Sequence, residues 1–131
     1  MNLNPNSVRA VLMYLEDNQK IGEQLCSSQV VNSILESQGD KNGTSEELLY
    51  AIKQLNDMGM INATPVMGDL AYSPHFNIYD ILPTGHQFLA NIKDDNIWEE
   101  TKAKAKKVGS FALDILSKIA VNVISDHLGK S

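Results

Sequence analysis

The stretch that most limits what this chain can fold into is "LLYAIKQLNDMGMINATPV", residues 48–66. It passes from a helical pattern, through one glycine, into a strand pattern. Leu48, Leu49, Ile52 and Leu55 recur at the spacing of a helix with one buried face. Gly59 stands where a left-handed residue ends a helix. Ile61, Ala63 and Val66 then alternate with Asn62 and Thr64, which predicts a half-exposed strand over residues 60–67. Pro65 puts that strand at a sheet edge or at its own end. A little further on, "YDILPTGHQFL" (79–89) makes the reverse passage, from a strand over 77–82, through a turn, into a helix. The segment between, "GDLAYSPH", is polar and turn-rich. The chain therefore carries a helix, a two-stranded ribbon and another helix in immediate succession.

The flanking sequence extends this order with helices. Asn4 can cap a first helix over 5–18, and Pro5 suits its first position, where the missing N–H has no partner to lose. Val8, Val11, Leu12 and Leu15 form its apolar face. "EQLC" reads as a brief strand. Ser27 or Ser28 can cap a second helix, with Val30, Val31, Ile34 and Leu35 inward, ending near Ser37 before the turn "QGDKNG". Thr44-x-x-Glu47 is a capping box for the third helix. Thr84-x-x-Gln87 has the same form at the fourth, where Phe88, Leu89 and Ile92 face inward. Asp94 or Asp95 can cap a fifth helix carrying the stripe Trp98, Thr101, Ala105 and Val108. Its acids come early and its lysines late, which complements the helix dipole. "VGS" at 108–110 breaks the pattern before a last helix over 111–128. The expected core joins Leu48, Ile52, Leu55, Ile61, Ile81, Phe88 and Leu89. The expected class is mainly α with a small β-ribbon (α+β).

The order of elements is that of a winged helix-turn-helix domain followed by C-terminal helices. "LNDMGMI" (55–61) resembles the segment where the recognition helix of winged-helix proteins turns into the first wing strand. "DILPTGHQFL" (80–89) resembles the strand-to-helix segment after the wing in MarR-like and PadR-like proteins, with Pro83 where those carry Thr. Over most of its length, from "LNPNSVRAVLMYLE" to "GHQFLANIKDDNIWEETKAKAKKVGSFALDIL", the chain resembles an uncharacterised family of small bacterial and phage proteins, a domain of unknown function. The resemblance implies a winged-helix domain over 1–93, a helical extension over 94–131, and a regulator-like protein of phage or mobile-element type. It implies no established activity.

Charge limits the function further. The net charge is −5. Residues 1–98 hold 5 Lys/Arg against 12 Asp/Glu, and residues 99–131 hold 6 against 4. An acidic body with a mildly basic tail is not the usual footprint of a phosphate-gripping protein. There is no secretory signal pattern and no apolar run of about 18 residues, so a membrane span is not expected. The single Cys26 leaves no internal disulfide, consistent with a reducing, cytoplasmic setting.

In a winged helix the third helix enters the major groove. Opposite its apolar face this chain places Glu47, Tyr50, Ala51, Gln54 and Asp57, with Lys53 to one side. Gln54 can pair with adenine and Tyr50 can reach a phosphate, yet Glu47 and Asp57 bring negative charge to a polyanion. The expected wing, "MGDLAYSPHF", carries Asp69 and no Lys or Arg. Two readings therefore stand: a regulator-like binder of duplex DNA, or a protein-binding winged helix whose acidic surface meets a host protein. Lys102, Lys104, Lys106 and Lys107 could add backbone contacts, but a solvated, dipole-matched helix end explains them better.

No catalytic constellation appears. His75, His86 and His127 are scattered and lack metal-ligand spacing, so no metal is expected. Cys26 reads as a small core residue, and Asp94-Asp95 as capping. "GDKNGT" lacks the ending of a phosphate loop, and no cofactor is implied. The protein is expected to be non-catalytic. The last helix has a broad apolar face, and Ala112, Ile115, Leu116, Ile119 and Val123 are candidates for a homodimer interface. The same face could instead fold back beside Trp98.

Overall fold

The structure, a computed structural model, describes residues 2–66 and 75–129. The chain runs α1 (Pro5–Asn18), β1 (Leu25–Cys26), α2 (Ser27–Gln38), α3 (Ser45–Asp57), β2 (Ile61–Pro65), β3 (Phe76–Ile81), α4 (Pro83–Ile92), α5 (Asp95–Val108) and α6 (Leu113–Gly129). It is mainly helical with one small antiparallel sheet in the order β1-β3-β2, an α+β fold. The segment expected as the tip of the ribbon, residues 67–74, lies outside the described residues.

Several starts and stops follow from local chemistry. The Asn4 side chain accepts from the Asn6 N–H, with Pro5 in the first turn of α1. The capping box of α3 is complete: the Thr44 hydroxyl accepts from the Glu47 N–H, and the Glu47 carboxylate accepts from the Thr44 N–H. Asp94 caps α5 by accepting from the N–H groups of Asn96 and Ile97. Two other expected caps serve different ends. The Ser27 hydroxyl is buried and accepts from the Phe76 N–H, tying the start of α2 to β3. The Thr84 hydroxyl donates to the Gly59 carbonyl at 2.8 Å, and Leu82 holds the cap position of α4.

That last bond joins the stretch over 48–66 to the stretch over 79–89. Gly59 has φ +72° and ends α3 as a left-handed residue. The Leu82 N–H donates to the Met60 carbonyl at 2.9 Å. Gly85 packs so closely that a Cβ there would stand 2.1 Å from the Met60 carbonyl oxygen. The turn out of α3 and the turn into α4 are thus one docked unit, and a side chain at residue 85 would wedge it open.

The sheet lies on the same core. β1 pairs with β3 (Leu25 with Ile78), and β2 pairs with β3 from Ile61–Ile81 to Pro65–Phe76, with an irregularity at Asn62/Ala63. The outer edge of β2 is blunted. The Asn56 side chain accepts from the Ala63 N–H, and Pro65 has no N–H to offer.

Val8, Val11, Leu12 and Leu15 of α1 are fully buried with Leu48, Ile52, Leu55, Ile61, Ile81, Phe88 and Leu89. Trp98, Ala105, Leu113, Leu116 and Ala120 belong to the same cluster, so α5 and α6 share one core with the preceding elements. Arg9 fastens this arrangement. Its guanidinium donates to the carbonyls of Ile92 and Lys93 and to Asp95, and it lies 5.9 Å from the centre of the Trp98 ring. Trp98 Nε1 and Lys102 Nζ both donate to Asn6 Oδ1. The expected α5 stripe is buried at Trp98, Thr101 and Ala105 but not at Val108, which is 65% exposed where the helix runs out.

Candidate binding face

α3 is held from both ends. Its capping box and the Asn4–Glu47 hydrogen bond fix the start, and the Gly59 turn fixes the finish. Leu48, Ala51, Ile52 and Leu55 are buried. Ala51 is therefore not on the outward face where helical phasing had placed it. It has no exposed surface, because α3 is packed by α1 and α2 over a broader arc than its largest apolar residues suggest.

The other candidates divide into two groups. Lys53 and Asp57 remain outward and form an ion pair at 2.7 Å. That hydrogen bond raises the Lys53 pKa, and the pair leaves α3 no unpaired cation. Glu47 is half-buried and committed to the cap and to Asn4. Beside it Glu46 is exposed, so the first turn of α3 is acidic.

Tyr50 and Gln54 turn instead into a groove of about 740 Å³ between α3 and the elbow joining α5 to α6. Leu3, Met58, Lys106, Phe111 and Asp114 are among its other lining residues. The structure thus unites two candidates that the sequence kept apart, the outer side of α3 and the basic end of α5. Sequence reasoning missed Leu3, Met58 and Phe111 as partners of Tyr50. The break at "VGS" was visible, but not the side of the molecule on which the elbow would come down.

The candidate interface on α6 is largely spent within the chain. Leu116 and Val123 have no exposure, because α6 folds back on α5 and α4. They cannot meet a second chain without unfolding this one, which corrects their place among the interface candidates. Ile115 and Ile119 are half-buried, Ile119 against the core, and Ala112 is exposed ahead of the helix. The fold-back is clasped by Glu100–His127 at 2.7 Å and by Lys104–Asp126 at 3.5 Å. The hydrogen bond from His127 lowers the pKa of Glu100.

Elsewhere the side chains show other employment. Cys26 is not a core residue; it is half-exposed at the cap position of α2, and the Ser28 hydroxyl lowers its pKa. Asp94 caps α5 and Asp95 pairs with Arg9. Among the described residues, no group of three His, Cys, Asp or Glu side chains is placed to hold a metal ion. Among those residues too, no helix is long and apolar enough to cross a membrane.

No curated protein and no solved structure matches this chain. A family model described as hypothetical protein (DUF2513), a domain of unknown function, matches residues 2–112, which takes in α1 to α5 and stops at the elbow. That span is most of the 131 residues, and the protein belongs to the DUF2513 family.

Proposed function

We propose that this protein is a non-catalytic winged-helix binding module whose target is another protein, met through the acidic outward side of α3. The winged-helix reading is supported by the order helix, strand, helix, helix, hairpin, and by the short β1 pairing with the second strand of that hairpin. The observation that carries the choice of partner is the charge on α3. Glu46 and Glu47 occupy its first turn, and its one lysine is already paired with Asp57. Duplex DNA presents about one negative charge per 1.7 Å of axis, and binding it relies on Lys and Arg displacing counterions. Here the helix that would enter the groove meets that field with carboxylates. A basic protein surface gains from the same charges, in affinity and in rate of encounter. The resemblance to bacterial and phage proteins suggests a host protein in the cytoplasm as the target.

One observation favours the other reading, a regulator-like binder of duplex DNA. Lys106 stands in the groove beside Tyr50 and Gln54, and Lys107 follows it in the last turn of α5. Selection from random duplexes at low salt separates the two. The protein-binding reading predicts no enriched sequence, whereas the DNA-binding reading predicts that the Glu46→Lys/Asp57→Lys variant gains non-specific affinity. An enriched duplex whose binding falls steeply with salt, and which Lys53→Ala or Gln54→Ala weakens, overturns the protein-binding reading.

A further inference from the structure

We infer that the groove between α3 and the α5–α6 elbow is filled by the C-terminal half of α6 from a second copy of this chain, and reciprocally. This stands whether or not the acidic outward side of α3 meets a protein.

Three observations converge. First, the groove is partly apolar and its rim is exposed. Leu3, Tyr50 and Phe111 line it, Met58 is 45% exposed, and Val108 at the neighbouring end of α5 is bare. Second, α6 keeps an apolar stripe after folding back. With Leu116, Ala120 and Val123 turned inward, Val121 remains 50% exposed and Ile124 half-exposed beside it. The stripe lies on the flank and back of the helix, where the core cannot use it.

Third, the charges on that outward side are self-complementary. Asp114 and Lys118 lie one turn apart, and neither makes an ion pair among the described residues. Two copies of α6 laid antiparallel about a two-fold axis at the level of Leu116 set Asp114 of each chain opposite the partner's Lys118. The same register carries the partner's Val121 past the start of α6, toward the elbow where Phe111 lies. A two-fold interface needs this reciprocity: each patch must meet its own complement on an identical surface. The apolar stripe supplies the ridge, the elbow groove supplies the slot, and the acid–base pair fixes the register.

Sedimentation equilibrium of the full chain tests this. At micromolar concentration two chains are expected. Val121→Asp should give a monomer whose circular dichroism is unchanged, because half of residue 121 is open to solvent in the single chain and a carboxylate there can reach water. Asp114→Lys places like charges across the axis and should weaken the dimer by about tenfold or more. Adding Lys118→Asp should restore it, which a general loss of folding could not do. A monomeric unmutated protein overturns the proposal. So does a dimer indifferent to both Val121→Asp and the charge exchange.

Discussion

Replacing Gly85 with alanine probes the joint on which the whole arrangement turns. In a free helix the change is favourable by about 0.5–1 kcal/mol, because alanine loses less backbone freedom. In this fold the new methyl would stand 2.1 Å from the Met60 carbonyl oxygen, a backbone atom that cannot rotate away. Either α4 lifts or the turn after α3 retreats. Displacing packed structure in this way costs about 1–3 kcal/mol. It also strains the Leu82–Met60 and Thr84–Gly59 hydrogen bonds, each worth about 0.5–1.5 kcal/mol net. After the helix gain is subtracted, a loss of about 1–3 kcal/mol is expected. Urea unfolding followed by circular dichroism should show a lower midpoint with an unchanged slope. Gly59→Ala is the comparison. No atom lies within 4 Å of its added methyl, so its cost is the left-handed backbone alone, about 1–2 kcal/mol. Gly59→Asn should recover part of that loss, since asparagine tolerates the conformation, whereas Gly85→Ser should recover nothing. A Gly85→Ala protein as stable as the parent would refute the docked-turn account.

Leu55→Ala, at a fully buried position, should cost about 2–5 kcal/mol in the same assay. Arg9→Lys should behave like a loss of the arginine rather than a conservative change, because one ammonium cannot reproduce the fork that reaches the Ile92 and Lys93 carbonyls and Asp95; thermal unfolding reads this out. Glu100 has its pKa lowered first by the hydrogen bond from His127. Its contribution is therefore present above its ordinary value of 4.5 and lost as pH falls through the lower folded value. Stability measured from pH 7 downward should show that acid-side loss, and His127→Ala should reduce it.

Elements whose cause is local were readable from sequence. The extents of α1 and α3, the Asn4 and Asp94 caps and the Thr44–Glu47 box depend on residues within one turn of each other. Thr84 was misread because a hydroxyl before a helix fits a cap equally well, and only the tertiary approach of Gly59 decides between them. Ala51 was misplaced for a related reason: a small residue gives no hydrophobic signal, so its burial appears only once α1 and α2 are in position. The latch of Arg9 on the end of α4 joins residues far apart in sequence and leaves no periodic trace. Of the candidate face, the charges of α3 were legible. That Tyr50 and Gln54 turn toward Phe111 was not, because it depends on where the elbow falls. The wide apolar face of α6 was legible, but that Leu116 and Val123 turn into the chain's own core required the fold-back.

Affinity capture from a cell lysate by the unmutated protein and by its Glu46→Lys/Asp57→Lys variant, with nuclease treatment and parallel recovery of bound nucleic acid, decides whether α3 meets a protein. Both substituted positions are exposed, and Glu47 is left in place to keep the cap of α3. The expected result is a protein retained after nuclease by the unmutated chain and lost by the variant, with no defined duplex recovered. A specific duplex in the bound fraction, or a captured protein that the charge reversal leaves untouched, would contradict it.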